Sequence, residues 1–156
     1  MWVCRAGKKS LDIKLFFNNN KIYLPWEGYN SDYGGIVDLS KFREIVAKEK
    51  GIDNRTTISN WSSQLYQFVN GISIEDYVLI PGPQSKHYHL AKVTGDYVYS
   101  PNNSYHHSRD IEFVVKNIPR DIFDQRTQYS LGAYRTLFKA KNEEYIIDTI
   151  NDWKNK

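Results

Sequence analysis

A single cysteine among 156 residues is the sharpest absence in this sequence. Cys4 alone cannot form an internal disulfide or build a thiolate metal site, which fits a reducing compartment. Also missing is any apolar stretch with the length and purity of a membrane span. The opening "MWVCRAGKKSLDIKLFF" lacks a basic region followed by an unbroken apolar run and a small-residue cleavage site. The expectation is therefore a cytoplasmic protein without secretory signal or membrane partner. The familiar catalytic signatures are absent too: no glycine-rich phosphate loop, no His-Glu-x-x-His, no Gly-x-Ser-x-Gly, no Cys-x-x-Cys. There is no internal repeat and no low-complexity tract. Nor does either sign of charge strongly outnumber the other, with 21 Lys and Arg against 18 Asp and Glu. A net charge of +3 helps a polyanion approach without demonstrating that one binds.

What the chain has in quantity is aromatic surface with polar handles: 12 tyrosines and 4 tryptophans. Such side chains fill cores, and they also supply stacking planes. The length suits one domain, residues 1–156. "MWVCR" and "NKIYLPW" read as short strands, with Pro25 placing Trp26 at a strand exit. "DLSKFREIVAKEKG" and "TTISNWSSQLYQFVNG" place apolar residues at helical spacing. Asp38 or Ser40 starts the first and Gly51 stops it, while Thr57 caps the second and Gly71 ends it. "DYVLIPG", "YHLAKVTGDYVY" and "IEFVVKNIP" then carry the β-branched and aromatic texture of antiparallel strands. "YRTLFKAK" is a further strand, and "NEEYIIDTINDWKNK" a closing helix capped by Asn142, with Ile146, Ile150 and Trp153 inward. The predicted class is α+β: a small, strongly bent, barrel-like sheet with flanking helices.

The chemistry-bearing residues favour binding over catalysis. His87 and His89 share one side of a strand and His106 and His107 are adjacent, but nothing in their spacing makes them converge on a metal. Asp110 and Glu112 lack the nearby lysine that an acidic nuclease triplet wants. Binding asks for less: aromatic planes at Trp26, Trp61, Tyr97 and Tyr99, and cations at Arg5 and Arg109 to contact phosphate or stack. Each has a structural alternative. Trp61 lies on the apolar face of its helix and Arg109 suits an edge strand.

Taken in order, "WVCRAG", "LPW", "VDLS", "WSSQLYQFV", "DYVLIPGP", "HLAKVTGDYVY", "HHSRDIEFVVKNIPRDIF" and "YSLGAYRTLF" resemble a family. From Trp2 to about Phe138 the chain is similar to the N-terminal specificity domains of Mrr-like and related modification-dependent restriction endonucleases. These belong to the PUA-like superfamily with the EVE and YTH domains. The resemblance implies a β-barrel whose open side holds a modified base flipped out of double-stranded DNA, in a restriction or phage-defence system. It also implies a separate nuclease or NTPase domain or subunit, and no cofactor. Arg5 and Ala6 would border the pocket, Trp26 would wall it, Tyr97 and Tyr99 would stand at its mouth, and Arg109 would contact phosphate or fix the lip. Gly95 would permit the turn of that lip. "YSLGA" would be a turn closing the barrel. Where the family commonly has Gly-Asp, this chain has Glu75-Asp76, which leaves that turn's shape open. The competing expectations are a YTH-like RNA-binding module and an enzyme using His106, His107 or Asp110.

Overall fold

The computed structural model describes every residue from Met1 to Lys156. Seven strands form one sheet: β1 (Trp2–Cys4), β2 (Lys21–Tyr23), β3 (Tyr77–Pro81), β4 (His87–Val93), β5 (Val98–Tyr99), β6 (His107–Pro119) and β7 (Leu137–Lys139). Their order is β2-β6-β4-β3-β1-β7, with β5 added to the start of β6. Only β1 and β3 run parallel, joined by a long crossover. The helices are α1 (Ile13–Asn19), α2 (Leu39–Lys50), α3 (Arg55–Tyr66), α4 (Gln125–Leu131) and α5 (Glu143–Lys154). The class is the expected α+β.

Period-2 alternation divides the sheet between two cores. Trp2, Cys4, Val78, Ile80, Ala91 and Val93 turn to one face and meet Phe16, Phe42, Val46, Leu65 and Phe68 from α1 to α3 and the turn after α3. Met1, Val3, Leu79, Tyr88 and Leu90 turn to the other, under Leu131 of α4 and Ile146 and Ile150 of α5.

Long strand β6 sets the curvature. Against β4 its register slips twice, once between the pairs Tyr88/Ile118 and Leu90/Val115 and again before Ala91/Phe113. Each slip puts an extra residue into β6, and Asn117 takes φ 58 there. Bulges of this kind raise local twist, so the sheet curls into a half-barrel. Its far ends then approach: Cys4 Sγ of β1 lies 3.9 Å from the Tyr23 carbonyl of β2, and the Trp26 indole N–H donates to Thr136 Oγ1 at 3.0 Å. Sequence neighbours of two remote strands thereby form a seam.

Local details depart from the sequence expectations in informative ways. Helix α2 has Asp38 as cap and Gly51 as stop, the latter at φ 64. Helix α3 starts earlier than expected, because the Asn54 side chain caps it by accepting from the Thr57 N–H at 3.1 Å. Its end widens into a π turn over Gln67–Gly71. The Asn142 side chain caps nothing; its backbone takes a left-handed φ of 59 before α5. Tyr129 to Leu131, expected within a turn, form the end of α4, and the turn begins at Gly132. Glu75 adopts φ 81, a conformation that suits glycine, so the turn before β3 keeps a glycine-like shape without one. Asp76 stabilises it by accepting from Ser73 N at 2.8 Å and from the Trp2 indole at 3.0 Å.

Candidate nucleic-acid interface

The seam between β2 and the β1/β7 edge is open toward two loops. One leaves β1 as "RAGKKS"; the other is the 100–106 loop between β5 and β6. In the first, the Ala6 carbonyl accepts from Asp12 N at 2.9 Å. Gly7 sits at φ 75, and a side chain there would collide with the Asp12 carboxylate. Asp12 in turn accepts from the Tyr105 hydroxyl at 2.9 Å, which ties the two loops together. Burial and then this bond push the Tyr105 phenol up to about 12. Between the loops lies a cleft of about 530 Å³ walled by Trp26, Tyr105 and Leu15 and edged by Glu27, Ser104 and His106.

Trp26 separates this cleft from a second, also about 530 Å³, lined by Tyr29, Glu49, Lys50, Ile52 and Trp61. Trp26 itself is 9% exposed, with its ring 4.4 Å from that of Trp61. Lys50 Nζ stands 3.4 Å above the Trp61 ring, a cation–π contact at the cleft wall. The Tyr29 hydroxyl is buried there without a hydrogen-bond partner.

Behind the aromatic walls runs a fixed polar chain. His107 is stacked between Tyr33 at 5.0 Å and Tyr97 at 5.7 Å. Its Nε2 lies 2.6 Å from the Tyr29 carbonyl and its Nδ1 2.6 Å from the Tyr97 hydroxyl. A carbonyl only accepts, so Nε2 carries the proton and Tyr97 donates to Nδ1. The Tyr97 oxygen also accepts from Tyr33 N at 3.3 Å, and Tyr99 donates to the Asn30 carbonyl at 2.6 Å. The segment 29–33 is thus bolted to the start of β6.

The expected site residues therefore fall into groups. Trp26 and Trp61 meet directly, Ala6 lies buried beneath the first cleft's loop, and Tyr97 and Tyr99 support segment 29–33 from behind. Arg5 turns the other way, donating through Nε and Nη2 to the Ala133 carbonyl at 3.3 and 3.0 Å. Arg109 is 3% exposed and donates to the carbonyls of Gly95 (3.2 Å) and Phe68 (3.4 Å), so its bonds hold the β4–β5 loop rather than face solvent. Gly95 is not in a left-handed conformation; its smallness matters because Asp110 Cβ would lie 3.1 Å from an added side chain. Asp110 is engaged by Lys21 at 2.5 Å. No group of three or more His, Cys, Asp or Glu side chains is placed to hold a metal ion. Asp12, Tyr105 and Lys50 belong to the site and were not foreseen, although Tyr105 sits beside the "HH" pair.

Burial keeps two histidines below their ordinary value near 6.5: His89, to about 4, and His107. His89 is 4% exposed and its Nδ1 accepts from Asn117 N at the bulge. Unfolded, both take protons at the ordinary value, so the unfolded state binds more protons and stability falls as pH drops from about 6.5 toward 4. Comparison with His89→Gln, which can still accept from Asn117 but does not titrate, isolates the effect. Between pH 6.5 and about 5 the wild type is expected to lose about 1–2 kcal/mol more than the variant in thermal melts. Parallel curves would refute it.

The family model described as a domain of unknown function (DUF8426) matches residues 2–139, and the chain belongs to that family. Neither the comparison with curated proteins nor that with solved structures returns a match.

Proposed function

We propose that this member of a family of unknown function is a PUA-like reader of a modified base in double-stranded DNA, with catalysis left to another domain or subunit. The observation that carries the reading is Trp26 at the open seam, shared by two clefts of about 530 Å³ that further aromatic rings also line. Clefts of this size suit a small flat ligand. Extruding a base costs a few kcal/mol, and stacking on such planes returns about 1–3 kcal/mol per base. The first cleft offers carboxylate oxygens at Asp12 and Glu27, which accept from a base's amino edge and repel phosphate. The ordered motifs from "WVCRAG" to "YSLGAYRTLF" and the curled sheet agree with the superfamily.

Cations for the backbone lie beside the seam. The Lys8–Ser10 turn is fixed to the β3–β4 turn by Ser10 Oγ, which donates to the Pro81 and Gly82 carbonyls at 2.9 and 3.1 Å. Arg120 N donates to the Lys86 carbonyl at 3.0 Å, bringing that pair to the same end of the sheet. None of Lys8, Lys9, Lys86 and Arg120 is in a salt bridge.

The test is a titration with matched short duplexes carrying cytosine, 5-methylcytosine, 5-hydroxymethylcytosine or N6-methyladenine at one position, with single-stranded RNA alongside. One modified duplex is expected to bind at least about fivefold tighter than its plain counterpart, the 1–3 kcal/mol that an apolar group gains in a preformed pocket. Equal binding of all duplexes, falling only with salt, would make the protein a general polyanion holder. Preference for RNA would assign it to the RNA-binding branch.

A further inference from the structure

Tyr134 and Tyr129 are 98% and 87% exposed, the two highest values among the large apolar side chains that reach the surface, ahead of Leu11 at 78%. Both belong to the segment Tyr129–Arg135, which ends α4 and leads into β7. Such rings are poor candidates for packing residues, and nothing in the fold covers them. The backbone beneath Tyr134 is fixed. The Arg5 guanidinium donates twice to the preceding carbonyl, Ala133, and stands 5.9 Å from the Tyr134 ring centroid. Arg135 N donates to the Ala133 carbonyl at 3.0 Å, tightening the turn. Two residues beyond Tyr134, the Thr136 hydroxyl accepts from Trp26, the wall of both clefts. The protruding tyrosine and the proposed base-binding wall are thus parts of one connected structure.

From this arrangement we infer that Tyr134 is the element that enters the DNA stack beside the extruded base. The inference rests on the reading of the seam as a base-binding site and names how duplex DNA is engaged there. A duplex that gives up one base leaves a gap between its neighbours, and an aromatic ring on a short braced turn can stack in it. The surroundings fit a polyanion. Arg135 is exposed, and neither it nor Arg5 is engaged by a carboxylate. Arg5 under the ring and Arg135 next to it in sequence favour the sugar-phosphate backbone beside the gap. The fixed orientation of the turn lowers the entropy that stacking would otherwise cost.

Because Tyr134 is almost wholly exposed, Tyr134→Ala leaves the fold intact, and binding is read directly. Wild type, Tyr134→Ala and Tyr134→Phe are titrated with the preferred modified duplex and with a single-stranded oligonucleotide carrying the same base. For the duplex, Tyr134→Ala is expected to weaken binding about tenfold while Tyr134→Phe stays near wild type. For the single strand, which has no gap to fill, the alanine variant is expected to lose threefold or less. If Tyr134→Ala binds the modified duplex as wild type does while Trp26→Ala does not, the wedge is wrong and the base site stands. If the alanine variant loses equally on both substrates, Tyr134 is a general stacking surface and the wedge is again wrong. Failure of wild type to prefer any modified duplex would remove the base site and the wedge with it.

Discussion

Replacing Gln64 by leucine is expected to destabilise the protein by about 3 kcal/mol, lowering Tm by roughly 10 °C. Gln64 is 6% exposed on α3, and its Oε1 accepts from Thr136 N at 3.0 Å and Leu137 N at 3.1 Å. Thr136 precedes β7 and Leu137 opens it, and no backbone bond beyond this last strand of the sheet order takes their amides. Leucine fills a similar volume but accepts nothing, so two donors are left unsatisfied in a largely dry site at about 1–3 kcal/mol each. The other end of the side chain matters less. Gln64 Nε2 reaches Asn60 Oδ1 at 3.3 Å, and Asn60 is exposed, so Asn60→Ala is expected to cost under about 1 kcal/mol. Chemical denaturation of the two variants separates the roles. A Gln64→Leu protein within about 0.5 kcal/mol of wild type would show that water or backbone shifts take over the two amides. The effect reaches the seam, because the same strand entrance presents Thr136 to Trp26.

How much of this could be read from residues alone depended on whether the determinant was local. Helix α2 was legible because its cap, its apolar spacing and its terminal glycine lie within one short segment. The seven-residue helices α1 and α4 were not: each spans about two turns and buries only one or two side chains, too few for a period to show. Trp26 was placed at a strand exit by Pro25, yet its partners Thr136 and Trp61 come from remote parts of the chain. The seam that brings them together depends on two slips in β6, marked in sequence only by Asn117, a residue that tolerates φ 58 without requiring it. Arg109 shows the same limit. A cation at a strand start reads as a surface charge, and only the folded loop reveals that the Gly95 and Phe68 carbonyls converge on it. His107 was one of an adjacent pair in sequence. In the fold it is committed through both ring nitrogens, while His106 edges the cleft.

Trp26→Ala is the variant expected to cost the most in binding, because one indole forms a wall of both clefts. Loss of a stacking plane is worth about 1–3 kcal/mol per base, so affinity for the preferred modified duplex should fall between about fivefold and 150-fold. The plain duplex should lose little, since the backbone contacts proposed for Lys8, Lys9, Lys86 and Arg120 do not pass through the indole. The modified-to-plain ratio should therefore collapse toward one. Truncating a side chain only 9% exposed also opens a cavity, and a cost of about 3–5 kcal/mol in stability is expected with it. Trp26→Phe resolves the two effects: it keeps a flat face, loses the N–H bond to Thr136, and removes less volume. If stacking is the source of affinity, the phenylalanine variant retains most of the discrimination although it melts below wild type. If it discriminates no better than the alanine variant while remaining folded at the temperature of measurement, the Thr136 bond and the shape of the seam, rather than the aromatic plane, set recognition.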